Sequence, residues 1–334
     1  MTTYNCAEYV EETIESILAQ IFTDFVFLII DDGSTDDTCL RISRFNDTRI
    51  RFLQSTENKG VGARLSEALK LINTPYIAKV DADDISLPTR FQQQYEFLQQ
   101  HPEVDIVKCY VDYFADSIEV KNSARFHYIK NIKEIEINAV NNPSIISKQL
   151  KRWLCFPHTT YMARSEVVFN VGYPESRMFE DYSLFYKAVE QGYQFGCVCV
   201  PLVKIRISNR STTAICSQNT LIQGLETIIA FKWEYIDKLQ DKHQLYIFGS
   251  GQLAKALAIG LIKKGVAIHA FLDRVPRQPI EINSQFISVN LLDCVLNNKG
   301  NSTIIVAAQP VRTEICNLLE RNGWIEWDDY MVIA

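Results

Sequence analysis

Helix-like and strand-like hydrophobic patterns alternate through the first hundred residues, and this alternation constrains the fold more than any other feature of the chain. Apolar residues recur with helical spacing from Val10 to Ile21, and the continuous apolar run Phe25–Ile30 follows. Such a run is typical of a strand buried on both faces. Further strands are expected at 50–53 and 75–80, with helices between them. Strands that alternate with helices predict a mostly parallel sheet with right-handed crossovers.

The same alternation restarts near residue 243, after a long polar stretch with helical character. Leu245–Phe248 is expected as a strand, a glycine-rich turn at 249–254 leads into a helix, and Thr303–Ala307 is expected as a later strand. A chain of 334 residues is long enough for two domains. The sequence therefore predicts an α/β domain over 1–215, a helical linker over 216–242 and a small Rossmann-like α/β domain over 243–334.

Composition excludes several classes of protein. Apolar residues make up 47% of the chain and charged residues 22%, which is ordinary for a globular protein and rules out disorder. The formal net charge of −6, from 34 basic and 40 acidic residues, argues against a nucleic-acid partner. The nine cysteines form no CxxC pair, so we expect a reducing compartment and no zinc site of the usual spacing.

Membrane insertion and secretion are not expected from the sequence. No apolar run approaches the roughly 20 residues that span a bilayer. Residues 1–5 have no charged or apolar region of the kind found in secretory signals. We therefore expect a cytoplasmic protein, and the sequence leaves peripheral contact with the inner face of the membrane open.

Acidic clusters follow two of the expected strands. Asp31 and Asp32 come directly after Phe25–Ile30, and the segment 81–84, Asp-Ala-Asp-Asp, comes after the strand at 75–80. Ligands of parallel sheets bind at the carboxyl ends of the strands. Carboxylates gathered there repel one another, and a bound cation would relieve the repulsion. The alternative for 81–84 is a solvated acidic turn that caps a helix.

A series of short motifs occurs in a fixed order along the chain. The motifs are Met1-Thr2-Thr3-Tyr4-Asn5, Ile30-Asp31-Asp32-Gly33-Ser34-Thr35-Asp36, Asn58-Lys59-Gly60 with Ala63-Arg64, Asp81-Ala82-Asp83-Asp84, Pro88 with Arg90, and Glu180-Asp181. Over about residues 1–210 the chain resembles family 2 glycosyltransferases of the GT-A fold. Each motif is common by itself, but the ordered series is specific.

The resemblance implies an enzyme that uses a nucleotide-sugar donor, usually a UDP- or TDP-sugar. Thr2 and Tyr4 match positions that line the pocket of the nucleotide base. Asp32 matches a carboxylate that accepts a hydrogen bond from the base, and Asp31 lies beside it. Arg64 matches a basic residue near the nucleotide.

The resemblance also implies a divalent cation, Mn²⁺ or Mg²⁺, at the Asp-x-Asp motif. Asp83 matches the carboxylate that contacts the metal and the diphosphate, Asp81 matches a position near the ribose, and Asp84 belongs to the same shell. His158 matches a histidine near the acceptor and the donor phosphates. All four side chains would then lie around the donor.

Asp181 matches the catalytic base of the family, with Glu180 as the next candidate. An acceptor hydroxyl must lose a proton as it attacks the anomeric carbon, and a carboxylate can accept it. A cation stabilises the charge on the departing nucleoside diphosphate as a Lewis acid. One displacement inverts the anomeric centre, so the resemblance implies an inverting transferase acting on a glycan or lipid-linked acceptor in surface polysaccharide synthesis.

Two departures from the family pattern leave other functions open. The chain begins inside the expected first strand, and Ile205 and Ser208 replace the aromatic and histidine neighbours of the family's arginine, here Arg206. An inactive nucleotide-sugar-binding protein is one alternative. The other is an NAD-dependent oxidoreductase, because the turn beginning at Gly249 has dinucleotide-binding spacing and Asp273 lies where a ribose-binding acid is expected. A structural or docking role for this second domain is the competing interpretation.

Overall fold

The computed structural model describes residues 1–211, 216–242 and 244–333. It divides into two compact units, Met1–Ile215 and Cys216–Ala334. The α/β fold class that the alternating pattern predicts is confirmed. The exact boundaries expected at residues 215 and 243 lie outside the described residues.

The first unit contains eight described strands and the helices that connect them. The strands are β1 (Thr2–Thr3), β2 (Phe27–Asp31), β3 (Ile50–Gln54), β4 (Tyr76–Ala78), β5 (Ile85–Ser86), β6 (Ile106–Ala115), β7 (Met162–Arg164) and β8 (Phe195–Ile207). The helices are α1 (Val10–Leu18), α2 (Thr38–Ile42), α3 (Val61–Leu69), α4 (Arg90–Gln100), α5 (Ile118–Lys121), α6 (Ala124–Tyr128), α7 (Glu134–Ala139), α8 (Pro143–Arg152), α9 (Ser165–Val171) and α10 (Glu180–Glu190). A π-helical turn, Ile129–Lys133, precedes α7, and a 3-10 turn, His158–Thr160, precedes β7.

Two sheets form the framework of this unit. The first has three parallel strands in the order β1-β2-β3. The second has five strands in the order β4-β7-β6-β8-β5 and is mixed. The sequence pattern alone suggested that the strand near 75–80 would extend the parallel sheet, and this is wrong. That strand pairs antiparallel with β7, Tyr76 opposite Arg164, because β7 returns along it.

The hydrophobic core of the first unit lies between helices α1 and α4 and the sheets. Val10, Ile14 and Ile17 repeat along one face of α1 at helical spacing and are fully buried. They pack in one cluster with Ile29 of β2 and Leu98 of α4. This packing fixes the carboxyl end of β2 and the turn that follows it, where the motif residues begin.

The second unit begins with two helices and continues as a parallel α/β domain. Its strands are β9 (Gln244–Phe248), β10 (Ala270–Asp273), β11 (Ile280–Ile282), β12 (Gln285–Ile287), β13 (Val289–Leu291), β14 (Ser302–Val306) and β15 (Tyr330–Val332). Its helices are α11 (Gln218–Phe231), α12 (Trp233–Lys242), α13 (Gln252–Lys263), α14 (Asp293–Leu296) and α15 (Arg312–Arg321), with 3-10 turns at Lys299–Asn301 and Gln309–Val311.

Five parallel strands in the order β13-β10-β9-β14-β15 form the main sheet of the second unit. With β9 taken as the first strand, this is the 3-2-1-4-5 order of a doubly wound fold. The order reverses between β10 and β14, on the two sides of β9. A small hairpin, β11 with β12, lies outside this sheet.

The segment 216–242 groups with the second unit instead of standing between two units. The buried ammonium of Lys232, between α11 and α12, donates to the carbonyls of Val332 and Ile333 at 3.1 and 2.9 Å. The Thr303 hydroxyl of β14 donates to Leu239 O of α12 at 3.0 Å. These helices are therefore part of the packing of the domain and not a free linker. Among the described helices, none is long and apolar enough to cross a membrane.

Candidate active site

The turn after β2 is built around the carboxylate of Asp31. This side chain is fully buried and accepts from the Thr3 hydroxyl at 3.0 Å, from the Gly33 and Ser34 amides at 3.0 and 2.8 Å, and from the Ser34 hydroxyl at 2.5 Å. Gly33 has φ +76°, a conformation that favours glycine. Asp31 therefore holds the turn together, and its oxygens have protein partners on both sides.

Asp32, the next residue, organises the loop that precedes α3. It accepts from the amides of Lys59 and Gly60, both at 2.8 Å, and from Nε of Arg64 at 2.7 Å. The Asp32 and Arg64 side chains are 5% and 4% exposed. Removing either partner would leave the other charge buried and unpaired, which is costly. The pair thus fixes the shape of the loop from within.

The remaining nitrogens of Arg64 are also occupied. Nη1 donates to Glu67 at 2.7 Å and Nη2 donates to the carbonyl of Glu57. A cavity of about 270 Å³ opens beside this loop, lined by Gln54, Ser55, Thr56, Glu57, Lys59 and Arg64. The cavity lies at the carboxyl end of β3, where parallel sheets receive ligands.

Thr2 and Tyr4 lie at the start of the chain beside this edge of the sheet. Thr2 belongs to β1 opposite Ile30, and the Tyr4 side chain is half exposed. Asn5 joins their segment to the turn after β2, since its amide donates to the Ser34 hydroxyl at 2.9 Å and its side chain accepts from the Thr35 amide at 2.8 Å. The aromatic ring of Tyr4 is thus held at an accessible position.

The Asp-x-Asp segment follows β4 and places its carboxylates in different surroundings. Asp81 forms an ion pair with the buried ammonium of Lys79. Asp84 is buried and accepts from the amide of Arg206 at 2.9 Å. The carboxylate of Asp83 is partly exposed and lies between them in the sequence. Of the three, Asp83 has the side chain most open to a ligand.

Crowding of these carboxylates changes their acidity. Burial, together with the charge of Asp81, raises the pKa of Asp83 to about 6. Burial and the charge of Asp83 raise the pKa of Asp84 well above its usual range. Burial also opposes ionisation of Asp81, but Lys79 outweighs it and the net pKa of Asp81 is lowered. A cation placed at Asp83 would favour the ionised form of all three.

Within the described ranges, no group of three or more His, Cys, Asp or Glu side chains is arranged to hold a metal ion. The donor set still fits Mg²⁺ or Mn²⁺, since these ions prefer oxygen and are often bound by one or two carboxylates plus substrate phosphates. Asp83 supplies such a carboxylate. The prediction that Asp81 and Asp84 also ligate the metal stays a prediction, and their present partners are Lys79 and Arg206.

Arg206, near the end of β8, fastens the Asp-x-Asp segment. Its Nε donates to the carbonyl of Asp83 at 2.9 Å, and its Nη2 pairs with Glu12 of α1. The guanidinium lies 4.5 Å from the ring centres of both Tyr9 and Phe114. Sequence analysis noted Arg206 only as an incomplete motif, because the rings that hold it come from distant parts of the chain.

Glu180 and Asp181 begin helix α10, after Phe179 in a left-handed conformation with φ +61°. Burial, and then Asp181, raises the pKa of Glu180 to about 8. Burial also raises the pKa of Asp181 to about 6, with a further contribution from Asp81. The Tyr182 amide donates to Asp181 at 2.7 Å. Asp81 thus acts electrostatically on residues a hundred positions away, which brings the two acidic motifs into one cluster.

His158 is buried in the same cluster and stays neutral. Burial and the charge of Lys79 lower its pKa to about 3. Its Nε2 lies 2.9 Å from the Tyr173 hydroxyl, and its Nδ1 lies 3.7 Å from Glu180. The Tyr173 hydroxyl also lies 2.6 Å from that of Tyr161. The imidazole is therefore oriented by a buried tyrosine network and not by solvent.

Two contributors escaped sequence analysis. Lys79 provides a buried positive charge that lowers the pKa of Asp81 and opposes the raised pKa values of Glu180 and Asp181. Arg177 donates to the side-chain and backbone oxygens of Asn58, the latter at 2.7 Å. A lysine in a strand and an arginine in a loop carry no motif, so only the fold reveals them.

The contact of Arg177 is part of a longer junction between two loops. The Gly62 amide donates to Ser176 O at 3.1 Å, and a Cβ on Gly62 would lie 2.2 Å from the carbonyl oxygen of Pro174. The loop held by Asp32 is therefore packed directly against the segment that leads to the acidic start of α10.

Comparisons with known proteins agree with this arrangement. The model of the glycosyl transferase family 2 matches residues 1–170. An uncharacterized glycosyltransferase of Methanocaldococcus jannaschii is 29% identical over 219 residues, covering 63% of this chain and 70% of that protein. The putative glycosyltransferase EpsE of Bacillus subtilis is 32% identical over 215 residues, covering 62% of this chain and 71% of that protein.

A third relative carries a more specific name. The UDP-Glc:alpha-D-GlcNAc-diphosphoundecaprenol beta-1,3-glucosyltransferase WfaP of Escherichia coli is 35% identical over 96 residues, 29% of this chain and 38% of that protein. Among solved structures, S. aureus TarS 1-349 in complex with UDP-GlcNAc has a TM-score of 0.49 at 16% identity, covering 68% of this chain and 65% of that chain. The mannosyltransferase PcManGT of Pyrobaculum calidifontis, in complex with GDP-Man and Mn²⁺, also has a TM-score of 0.49, at 18% identity over 71% and 62% of the two chains.

The family match covers half of the chain, and the relative in Bacillus subtilis is matched over most of its own length. The family is the one that the ordered motifs resemble, and its GT-A fold agrees with the α/β architecture of the first unit. The chain therefore belongs to glycosyl transferase family 2.

Proposed function

We propose that this chain is an inverting glycosyltransferase that moves a sugar from a nucleotide-diphosphate sugar, a UDP- or TDP-sugar, to a hydroxyl of a glycan or lipid-linked acceptor in surface polysaccharide synthesis. The observation that carries the proposal is the single cluster formed by the Asp81–Asp84 segment and the Glu180–Asp181 pair. Members of the family that have a specific name include one that uses UDP-Glc and a diphosphoundecaprenol-linked sugar.

The donor is proposed to lie along the carboxyl ends of β2 and β3. The half-exposed ring of Tyr4 and the cavity beside the loop at 57–60 offer an aromatic face and a polar pocket for the base and ribose. Asp32 and Arg64 act here by holding the loop, since their polar atoms already have protein partners. Asp31 acts in the same way on the neighbouring turn.

Asp83 is the residue proposed to hold a divalent cation. When bound, that cation would supply Lewis-acid stabilisation to the charge on the departing diphosphate. The chain prepares this position in two ways. Arg206 fixes the backbone of Asp83 and the side chain of Asp84. Lys79 occupies Asp81, which reduces the number of carboxylates that compete for one ion.

Asp181 is the proposed general base. Its raised pKa of about 6 makes it a stronger proton acceptor than an ordinary aspartate, yet leaves it mostly ionised near pH 7. Glu180 has a pKa of about 8 and therefore holds its proton at that pH. The neighbouring residues thus differ in protonation, and Asp181 is the one that can take a proton from the acceptor hydroxyl.

His158 is proposed to contact donor phosphate or acceptor as a neutral imidazole. Its Nε2 partner is the Tyr173 hydroxyl, and the hydroxyl pair of Tyr161 and Tyr173 fixes the ring. Contact with a membrane surface would be needed if the acceptor is lipid-linked, and that contact belongs to the same proposal.

Turnover of candidate donors tests the proposal directly. The full chain is incubated with UDP- and TDP-sugars in Mn²⁺ or Mg²⁺, with and without a lipid-linked or glycan acceptor, and release of the nucleoside diphosphate is measured. We expect one donor to be turned over, and excess EDTA to stop the reaction. Turnover that is unchanged in EDTA would remove the metal from the proposal. Absence of turnover with every donor would favour the nucleotide-sugar-binding alternative.

A further inference from the structure

A cleft of about 350 Å³ opens in the second unit at the carboxyl ends of its central strands. It is lined by the turn after β9, by Asp273 at the end of β10, and by Ala307 and Ala308 after β14. The strand order reverses at β9, whose two neighbours are β10 and β14. Open α/β sheets bind ligands in the crevice at such a switch point. The volume is at the lower end of the roughly 300–1,000 Å³ of small-molecule sites.

The turn from Gly249 to Gly251 contains one glycine that the fold explains and one that it does not. Gly249 has φ +115°, and a Cβ there would lie 3.2 Å from Cβ of Ala308, so glycine is required by backbone and by space. Gly251 has φ −82°, which any residue adopts, and a Cβ there would meet no atom within 4 Å. Neither conformation nor packing asks for a glycine at 251.

The missing side chain of Gly251 leaves open space that faces the cleft. It precedes Gln252, the first residue of the 12-residue helix α13. The first amides of a helix have no partner within the helix. A ligand can therefore approach the backbone closely here, and a phosphate group is the ligand that gains most from such amides.

Asp273 contributes a carboxylate on the other wall of the cleft. It accepts from the Ser250 hydroxyl at 2.5 Å and from the Arg274 amide at 2.7 Å, one bond to each of its two oxygens. Partial burial would raise its pKa, but these hydrogen bonds outweigh burial and lower it. An ionised carboxylate accepts as many as four hydrogen bonds. Lone pairs of Asp273 therefore stay available for hydroxyl groups of a ligand.

The open glycine and the carboxylate recognise different parts of one kind of molecule. We propose that the cleft of the second unit binds a ribonucleoside diphosphate group, with the diphosphate over the turn 249–251 and the ribose hydroxyls at Asp273. The group is present in ADP and UDP, in nucleotide sugars and in dinucleotides such as NAD⁺. This site is separate from the donor site of the first unit, and it does not depend on the transfer reaction.

Calorimetric titration of the full chain with ADP, UDP and NAD⁺ tests the proposal. The first variant, Gly251→Asp, fills the open space with a negative charge but keeps a residue that is favourable before a helix. The matched control is Gly300→Asp, because Gly300 lies in the same unit, also has open space around its Cβ position and does not line the cleft. A second variant, Asp273→Asn, keeps the shape of the side chain and removes its charge.

We expect at least one of the three probes to bind, and its affinity to fall at least tenfold in Gly251→Asp and measurably in Asp273→Asn. The same affinity should be unchanged in Gly300→Asp and in Asp83→Asn, a variant of the first unit. A preference for NAD⁺ over ADP would identify a dinucleotide site, and the reverse would identify a mononucleotide site. The proposal is overturned if no probe binds, if Gly251→Asp binds like the wild type, or if binding is lost in Asp83→Asn instead.

Discussion

The two units place their polar residues at the same kind of position but build that position from opposite materials. In the first unit the strand ends carry crowded carboxylates, and burial raises the pKa values of Asp83, Glu180 and Asp181. In the second unit the strand ends carry glycine and alanine around one carboxylate, Asp273, whose pKa is lowered. The first site stores repulsion that a ligand can relieve, whereas the second offers space.

This difference explains why the chemistry is assigned to the first unit. Groups with shifted pKa values that share a cleft are typical of catalytic sites. The second unit has a single satisfied carboxylate and no described neighbour of raised acidity at its cleft, as in a site that only binds. The comparison breaks if variants of the first unit leave the transfer reaction unchanged.

The largest effect is expected from Asp181→Asn. This change keeps the volume of the side chain and removes the proton acceptor, so turnover should fall by roughly two to four orders of magnitude. Donor affinity, measured by calorimetry, should change little because the base faces the acceptor. Asp24→Asn is the matched control, since Asp24 is exposed in the same unit. Transfer at nearly the wild-type rate would remove Asp181 from the mechanism and leave Glu180 as the candidate.

Asp83→Asn should affect binding as well as turnover. Loss of the carboxylate that is proposed to hold the cation should weaken donor affinity in Mn²⁺ by about 10- to 100-fold, the worth of one charge-assisted contact. Manganese binding, followed by electron paramagnetic resonance without donor, should weaken in parallel. Donor affinity that is equal to the wild type in Mn²⁺ would contradict the proposed role of Asp83 and leave Asp81 and Asp84 to be tested.

Arg206→Met should separate positioning from chemistry. The variant loses the hydrogen bond to Asp83 O and the contacts with the rings of Tyr9 and Phe114. Together these contacts are worth about 2–4 kcal/mol of unfolding free energy. Chemical unfolding followed by hydrogen exchange should show the loss in the first unit alone, with weaker Mn²⁺ binding. If stability falls but Mn²⁺ affinity does not, Arg206 supports the fold without positioning Asp83.

The smallest effect is a pH dependence of stability that should differ between the units. The pKa of Glu180 is raised to about 8 and that of Asp181 to about 6, so the folded state binds these protons more tightly than the unfolded state. Their stabilising contribution is complete below the unfolded pKa values near 4 and is lost as the pH rises through 6 and 8. For Asp273, with a lowered pKa, the contribution is present at neutral pH and is lost on acidification.

Hydrogen exchange at a series of pH values can resolve the two units. We expect the unfolding free energy of the first unit to fall by about 1–3 kcal/mol between pH 5 and pH 8, since one pKa unit is worth about 1.4 kcal/mol and the carboxyl groups are coupled. Glu180→Gln should flatten this slope. A first unit whose stability rises over the same interval would show that its carboxylates are not destabilised by burial.

Much of the fold could be predicted from sequence, because buried strands and amphipathic helices leave clear periodicities. Phe27–Asp31 and Val10–Leu18 are examples. The pairing of β4 could not, because three residues fit an antiparallel neighbour as well as a parallel one, and the neighbour, β7, lies more than eighty residues away. The segment 216–242 was mistaken for a linker because its polar face hides the packing of Lys232 and Leu239.

The candidate site divides in the same way. Carboxylates such as Asp83 and Asp181 were found because they sit in ordered motifs. Lys79 and Arg177 were not, because their importance arises from neighbours that only the folded chain supplies. The sequence also could not reveal that Asp31 and Asp32 spend their oxygens on their own turns. An Asp in a motif does not state whether it faces a ligand or the backbone.

The central claim is that one carboxylate cluster in the first unit performs a single displacement. Proton NMR of the first-formed product, made from a donor of known anomeric configuration, tests it most directly. The account predicts a product of opposite configuration with the wild type, and no product on the same timescale with Asp181→Asn although that variant still binds the donor. A product that retains the configuration of the donor, or one formed equally well by Asp181→Asn, would contradict the account.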